Sequence, residues 1–164
     1  MHGATWAVHR RGWSSGWEHD ARIDPARFDC IVHNDKYDRR LFAVPNAAVP
    51  LRDYAAAMHA SSLVRDGGTL QIGIGGFADA VTHALKLRHH HNDRFQELIG
   101  RIASHAVPEY LRHLGTFQDG LYANSEMLVE GLLELRRAGI LKRRVSGNPG
   151  PLIHAAFFLG SNAL

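Results

Sequence analysis

The chain has 164 residues, enough for one domain with a real core, and its 45% hydrophobic and 21% charged content is that of an ordinary soluble globular protein. A net charge of +3, with short basic clusters only at Arg39-Arg40, Arg136-Arg137 and Lys142-Arg143-Arg144 and no aromatic-basic stripe, argues against nucleic-acid binding. No apolar run approaches the ~18–20 residues of a membrane span, no apolar signal segment stands near the N-terminus, and the lone Cys30 excludes an internal disulfide. A cytoplasmic protein is therefore expected, with Cys30 as a small core residue.

Residues 1–27, with Trp6, Trp13 and Trp17, show neither a helical nor a strand period and are expected to be poorly structured. Phe28–Val32 reads as a short strand, and Leu41–Pro45 as an extended segment running to Pro50. Asp53 is placed to cap a helix from Tyr54 to about Val64, which Arg65-Asp66-Gly67-Gly68 ends with turn chemistry. Thr69–Ile74 reads as a buried strand, and Asp79–Leu87 begins a second helix. Further helical turns are expected at Phe95–Ile102 and Pro108–Leu114. Leu121–Ala123 is a second strand, and Met127–Ala138 a helix with Leu128, Leu132 and Leu135 near helical spacing, closed by Gly139. Ile153–Leu159 gives one more strand after Ser146–Pro151. Strands alternating with helices predict an α/β fold with a mostly parallel sheet flanked by helices. Three or four parallel strands with open edges make a poor stopping point, so the chain is expected to be an incomplete domain of a larger enzyme.

Two segments carry candidate chemistry. Gly73, Ile74, Gly75 and Gly76 form a glycine loop between strand and helix, where backbone amides can hold an anion or an oxyanion. The spacing fits neither a dinucleotide fingerprint nor a P-loop, and the glycines could equally serve only to turn the chain and seat the helix. Glu126, in Ala123-Asn124-Ser125-Glu126-Met127, could be a nucleophilic carboxylate. It could also be a residue of the helix's first turn, with Ser125 as the cap. Asp119 and Glu130 beside it read as surface or capping residues. The twelve histidines include His89-His90-His91 and His83, but successive helical residues point ~100° apart. Without acidic or cysteine partners the spacing gives no metal site, and a solvated loop is expected there.

Taken together, Phe28–Val32, Leu41–Asn46, the T-L-Q-x-G-I-G-x-x-x-D-A motif from Thr69, the S-E-M-x-x-x-G motif from Ser125, and Ala138–Arg143 resemble the acetyl-CoA hydrolase/transferase family, the acyl-CoA:carboxylate CoA-transferases. The resemblance covers roughly residues 28–164 and corresponds to the first half of that family's C-terminal catalytic domain, with a helical insertion at about 86–116. It implies a CoA-transferase-like fold and a covalent glutamyl-CoA intermediate on Glu126. It also implies an oxyanion hole drawn from Gly73, Ile74, Gly75 or Gly76, where one donor is worth about 3 kcal/mol in other enzymes. Asn124 and Gln71 are candidates to orient the glutamate. Coenzyme A is then a substrate, with no cofactor and no metal implied. The expected partners are an acyl-CoA, a small carboxylate, and an absent N-terminal domain or partner chain, in a homo-oligomer. The family's later glycine-rich CoA-binding segment and N-terminal domain are missing here, so the resemblance also accommodates a non-catalytic half-domain. A small nucleotide-binding module is the third reading.

Overall fold

The computed structural model describes residues 6–8, 24–32, 48–102, 107–146, 150 and 152–158. The expected extended segment Leu41–Pro45, Trp13, Trp17 and the last residues from 159 on lie outside them. The chain divides into two units, residues 1–41 and 42–164.

In the first unit, strands β1 (Trp6–Val8) and β2 (Cys30–Val32) pair in parallel, with Ala7 opposite Ile31, and a short 3-10 turn spans Pro25–Arg27. Trp6–Val8 is regular structure inside a segment expected to have none, because three residues are too few to display an alternation. Cys30–Val32, expected as a short strand, pairs with it in this unit. Cys30 is half-buried.

The second unit is α/β. Helix α1 (Leu51–Ser62) is followed by β3 (Thr69–Gln71), α2 (Gly76–His90), α3 (Asn92–Ile102), a 3-10 turn at Glu109–Leu111, β4 (Tyr122–Leu128), α4 (Glu130–Arg137) and β5 (Ile153–Phe158). The sheet is parallel throughout, in the order β3-β4-β5. Its apolar side, with Leu70, Ile72 and Ala123, shares one core with Ala57 and Met58 of α1, Ala80, Val81, Ala84 and Leu85 of α2, Phe95 and Ile99 of α3, and Leu132 and Leu135 of α4. Burial of these side chains supplies most of the folding drive.

α1 and α2 start earlier than expected. α1 begins at Leu51 because Pro50, extended at φ −69° and ψ 152°, already offers its carbonyl to the amides of Asp53 and Tyr54. Asp53 therefore lies in the first turn, where its charge suits the dipole, and caps nothing. α2 begins at Gly76, three residues before Asp79, because Gly75 takes φ +111° and its carbonyl accepts the amides of Ala78 and Asp79. A positive φ of this size favours glycine strongly. The same turn shortens β3, which stops at Gln71 and leaves Ile74 half exposed at 52%. The histidine run is helix and not a solvated loop: His89 and His90 close α2, and His91 follows it.

Two polar devices fix the layers. Asp66 accepts four amides. Those of Gly67 (3.0 Å) and Gly120 (2.8 Å) meet Oδ1, and those of Gln118 (2.8 Å) and Asp119 (3.0 Å) meet Oδ2. The turn before β3 is thus tied to the loop before β4. Arg88, almost fully buried in α2, donates to the carbonyls of Ser61, Val64 and Gly115, each at 2.7 Å, and stacks on Phe117 with its guanidinium carbon 4.4 Å from the ring centre. Burial lowers its pKa to about 10, against an opposing pull from Asp66.

Candidate functional site

Parallel pairing brings the C-terminal ends of β3, β4 and β5 to one edge of the sheet, and strand alternation sorts their side chains onto two faces. Leu70 and Ala123 are register partners and both are buried. The other face carries Thr69 and Gln71 from β3, Tyr122, Asn124 and Glu126 from β4, and His154 from β5. Gln71, Asn124 and Glu126 are all exposed. Leu128, two residues beyond Glu126, is buried again and bounds the polar patch. A parallel sheet is ordinarily covered on both faces. Among the described residues, Thr69, Gln71, Asn124 and Glu126 make this face polar and exposed, while Tyr122 and Leu128 on it are buried.

The register orders that face. Gln71 pairs with Asn124, and Asn124 pairs with His154, so one residue from each strand makes a row across the sheet. Gln71 and Asn124, the two candidate orienting residues, are thus direct neighbours. The Ser125 hydroxyl lies 3.1 Å from the Ile72 carbonyl and 2.6 Å from that of Met127. β3 ends at Gln71, and Ile72 and Gly73 follow it, while Glu126 lies within the adjacent strand β4. The four loop residues therefore continue from the strand next to Glu126, at the same edge.

Glu126 sits differently from either sequence reading. It is neither just past a strand nor in the first turn of a helix: it lies inside β4, four residues before α4 begins. Ser125 caps no helix, since position Val129 precedes α4 and offers no side-chain cap. Met127 and Leu128, expected in the helix, are strand residues. The cause is length: β4 runs seven residues, and its β5 partner supports it to Phe158. Among the described residues Glu126 makes no ion pair.

In the loop, Gly73, Ile74 and Gly75 are exposed, and a Cβ added at Gly73 or Gly75 would meet nothing within 4 Å. No side chain caps α2, so the amides of Gly76 and Phe77 point out of its first turn unclaimed by the helix. Gly131 of the second motif has a packing role. A Cβ there would lie 2.6 Å from the Thr82 hydroxyl oxygen, so glycine lets α4 approach α2 closely. That hydroxyl is itself buried, with no hydrogen-bond partner among the described residues.

Three neighbours had no sequence signal of their own. Arg143 donates to the Gly68 carbonyl (3.0 Å) and the Thr69 hydroxyl (2.9 Å), with its guanidinium carbon 5.7 Å from the centre of the Tyr122 ring. The Tyr122 hydroxyl and His154 Nδ1 share a hydrogen bond. His154 is one of twelve histidines, and only the β4–β5 register puts it on this face. His83 packs edge-on against Tyr54, and His89 accepts the Phe117 amide at Nδ1 (3.2 Å). Among the described residues no group of three or more His, Cys, Asp or Glu is placed to hold a metal ion, and no helix is long and apolar enough to cross a membrane.

The fold and site thus define a parallel α/β unit with helices on one face and a polar, carboxylate-bearing face on the other. No protein-family model matches the chain, and no curated protein matches it. It is similar to a solved structure of a mutant of RipA, at 24% identity and a TM-score of 0.47, covering 84% of this chain and 24% of that one. The chain therefore spans about a quarter of that structure's length.

Proposed function

We propose that this chain carries the nucleophile of an acyl-CoA:carboxylate CoA-transferase or acyl-CoA hydrolase, with Glu126 as that nucleophile. What supports the reading is an exposed carboxylate within β4, without an ion pair among the described residues, and a glycine loop that follows the adjacent strand β3, in segments that resemble that family's paired motifs. In this reading the Glu126 carboxylate attacks the thioester carbonyl. A C–O bond forms, the C–S bond breaks, and CoA thiolate leaves. The thiolate then attacks the glutamyl side of the anhydride, releasing the first carboxylate and leaving Glu126 as a CoA thioester. An acceptor carboxylate attacks that thioester to re-form an anhydride, and returning thiolate takes the new acyl group and frees Glu126. Water attacking in the acceptor's place gives hydrolysis. A carboxylate suits the task because the anhydride conserves the thioester's activation. Amides from Gly73 to Gly76 would stabilise the tetrahedral oxyanions. No cofactor or metal is needed, since CoA enters as substrate.

The exposed sheet face also bears on partners. Parallel sheets are closed on both sides, so the second wall of the cleft would come from an N-terminal domain, a partner chain or a second copy, in the cytoplasm where acyl-CoA is at hand. In an assembly with that wall, exposure to acetyl-CoA followed by borohydride should reduce a thioester at Glu126, read as a modified peptide by mass spectrometry. Glu126→Gln should abolish the adduct and lower turnover by at least ~10³-fold. Full activity in that variant would remove Glu126 from the mechanism.

A further inference from the structure

We infer that Leu51, Ile74 and Phe77, which rim the glycine loop, receive the acyl chain of the substrate, so that the preferred acyl-CoA carries an apolar chain longer than acetyl; this deepens the proposed function and rests on it. Helices α1 and α2 lie side by side and run the same way. Val49, just before α1, lies 3.5 Å from where a Cβ on Gly76 would stand, at the start of α2. Further along, the Tyr54 and His83 rings are 5.5 Å apart, and near the far ends Arg88 donates to the Ser61 carbonyl at 2.7 Å. The starts of both helices therefore fall together, beside the loop that leads into α2. Cα–Cβ bonds in a helix tilt toward its N-terminus. Leu51 and Phe77, in the two first turns, thus lean toward the end where the amides of Gly76 and Phe77 emerge. Ile74 belongs to the loop itself. Leu51 is 84% exposed, Ile74 52% and Phe77 48%, so three large apolar side chains stand in water around these donors.

A thioester carbonyl held by the loop amides would lay its chain among those side chains, and each methylene that leaves water there gains affinity. A second carboxylate at the chain's far end would meet like charge instead. Each first turn already holds an acid matched to its helix dipole, Asp53 in α1 and Asp79 in α2. Arg52, the cation of these turns, is paired with Asp53 at 3.6 Å. The rim therefore selects longer monocarboxylic acyl groups by apolar area and disfavours dicarboxylic ones by charge.

The test follows the Ile74 methyl signals by NMR, assigned through Ile74→Val, in a Glu126→Gln chain that cannot turn over its ligand. Acetyl-CoA, hexanoyl-CoA and succinyl-CoA are titrated separately, with free CoA as the control. Burying one methylene fully is worth a factor of about four, so on a rim that stays partly open four extra methylenes should lower the midpoint roughly tenfold from acetyl to hexanoyl. Succinyl-CoA should bind no tighter than acetyl-CoA. The Leu63 methyls, 48% exposed at the other end of α1, should not move. Phe77→Ser should shrink the tenfold preference to about threefold or less. If that variant fails to fold, Leu51→Ser, at the more exposed position, reads the same loss. Equal midpoints for acetyl and hexanoyl, a tighter succinyl-CoA, equal responses at Ile74 and Leu63, or no shift with hexanoyl-CoA up to about 1 mM would each overturn the assignment. A hexanoyl preference at Ile74 without any glutamyl-CoA adduct in the parent chain's assembly would keep the rim and discard the proposed chemistry. The adduct without the preference would do the reverse.

Discussion

Asp66→Asn tests whether the four-amide anchor sets the alignment of β3 and β4. In the parent chain each carboxylate oxygen accepts two amides at 2.8–3.0 Å. Asparagine keeps one oxygen and turns an NH2 toward the other pair, so two bonds are lost outright and two become neutral. Hydrogen bonds to a charged group are worth about 1.5–3 kcal/mol each, and the Gln118 and Asp119 bonds are exposed, so the lower end applies; the expected loss is about 3 kcal/mol. For a chain of this size that is roughly 9 °C in the melting midpoint. The pH dependence has a fixed sign. Partial burial pulls the Asp66 carboxyl up, but the amides of Asp119, Gly120, Gln118 and Gly67 outweigh it and hold it below its ordinary 3.8. A group depressed in the folded state gives its stability in full above 3.8 and loses it as the pH falls through the lower, folded value. Calorimetry of both chains should therefore show a constant gap above about pH 5 that narrows on acidification below 3.8. A gap under ~1 kcal/mol, or one that does not narrow in acid, would show that the anchor does not hold these loops.

Gly131→Ala should cost about 2 kcal/mol because its methyl meets the Thr82 hydroxyl, and most of that cost should vanish in a Thr82→Ala background, measured by urea unfolding as a double-mutant cycle. Arg88→Met removes three carbonyl partners from the charge while retaining much of its bulk. Three stranded carbonyls should destabilise by about 3 kcal/mol, and a neutral or stabilising result in the same unfolding assay would show that the buried cation is dispensable. His89 is held below its ordinary 6.5 by burial first and then by His90 and Lys142, against a smaller pull from Asp66. Its share of stability is whole above 6.5 and is lost as the pH falls through the folded value. His89→Asn should accordingly flatten the acid slope of the melting midpoint below pH 6.5.

The layer order was legible because the signals for it are local. Asp66-Gly67-Gly68 is a turn by composition, and Gly139, at φ +74°, ends α4 where the dipole-matched Arg136 and Arg137 prepare it. Element ends were less legible, because they depend on backbone angles that composition does not fix: Gly75 at φ +111° starts α2 early, and Pro50 does the same for α1. Leu128, Leu132 and Leu135 looked like one helical stripe. Only the pairing of Met127 with Phe157 and of Leu128 with Phe158 shows that the first of them is strand. A residue at the join of two apolar patterns fits both periods, and a partner strand some thirty residues away decides between them.

That long-range decision also changes what Glu126 can be. As a residue of a helix's first turn it would have a sufficient structural purpose, stabilising amides through the dipole, and no chemistry would be needed to account for it. Inside a strand, four residues before the helix, that purpose is gone. Strand alternation then requires its side chain to share the face of Asn124 and Gln71, opposite the helices that cover Ala123 and Leu70. An exposed acid in the middle row of a parallel sheet is poorly placed for stability, because such strands are usually apolar on both sides. The period of β4, fixed by its pairing with β3 and β5, thus decides which face the Glu126 carboxylate shares, and helix capping no longer accounts for it.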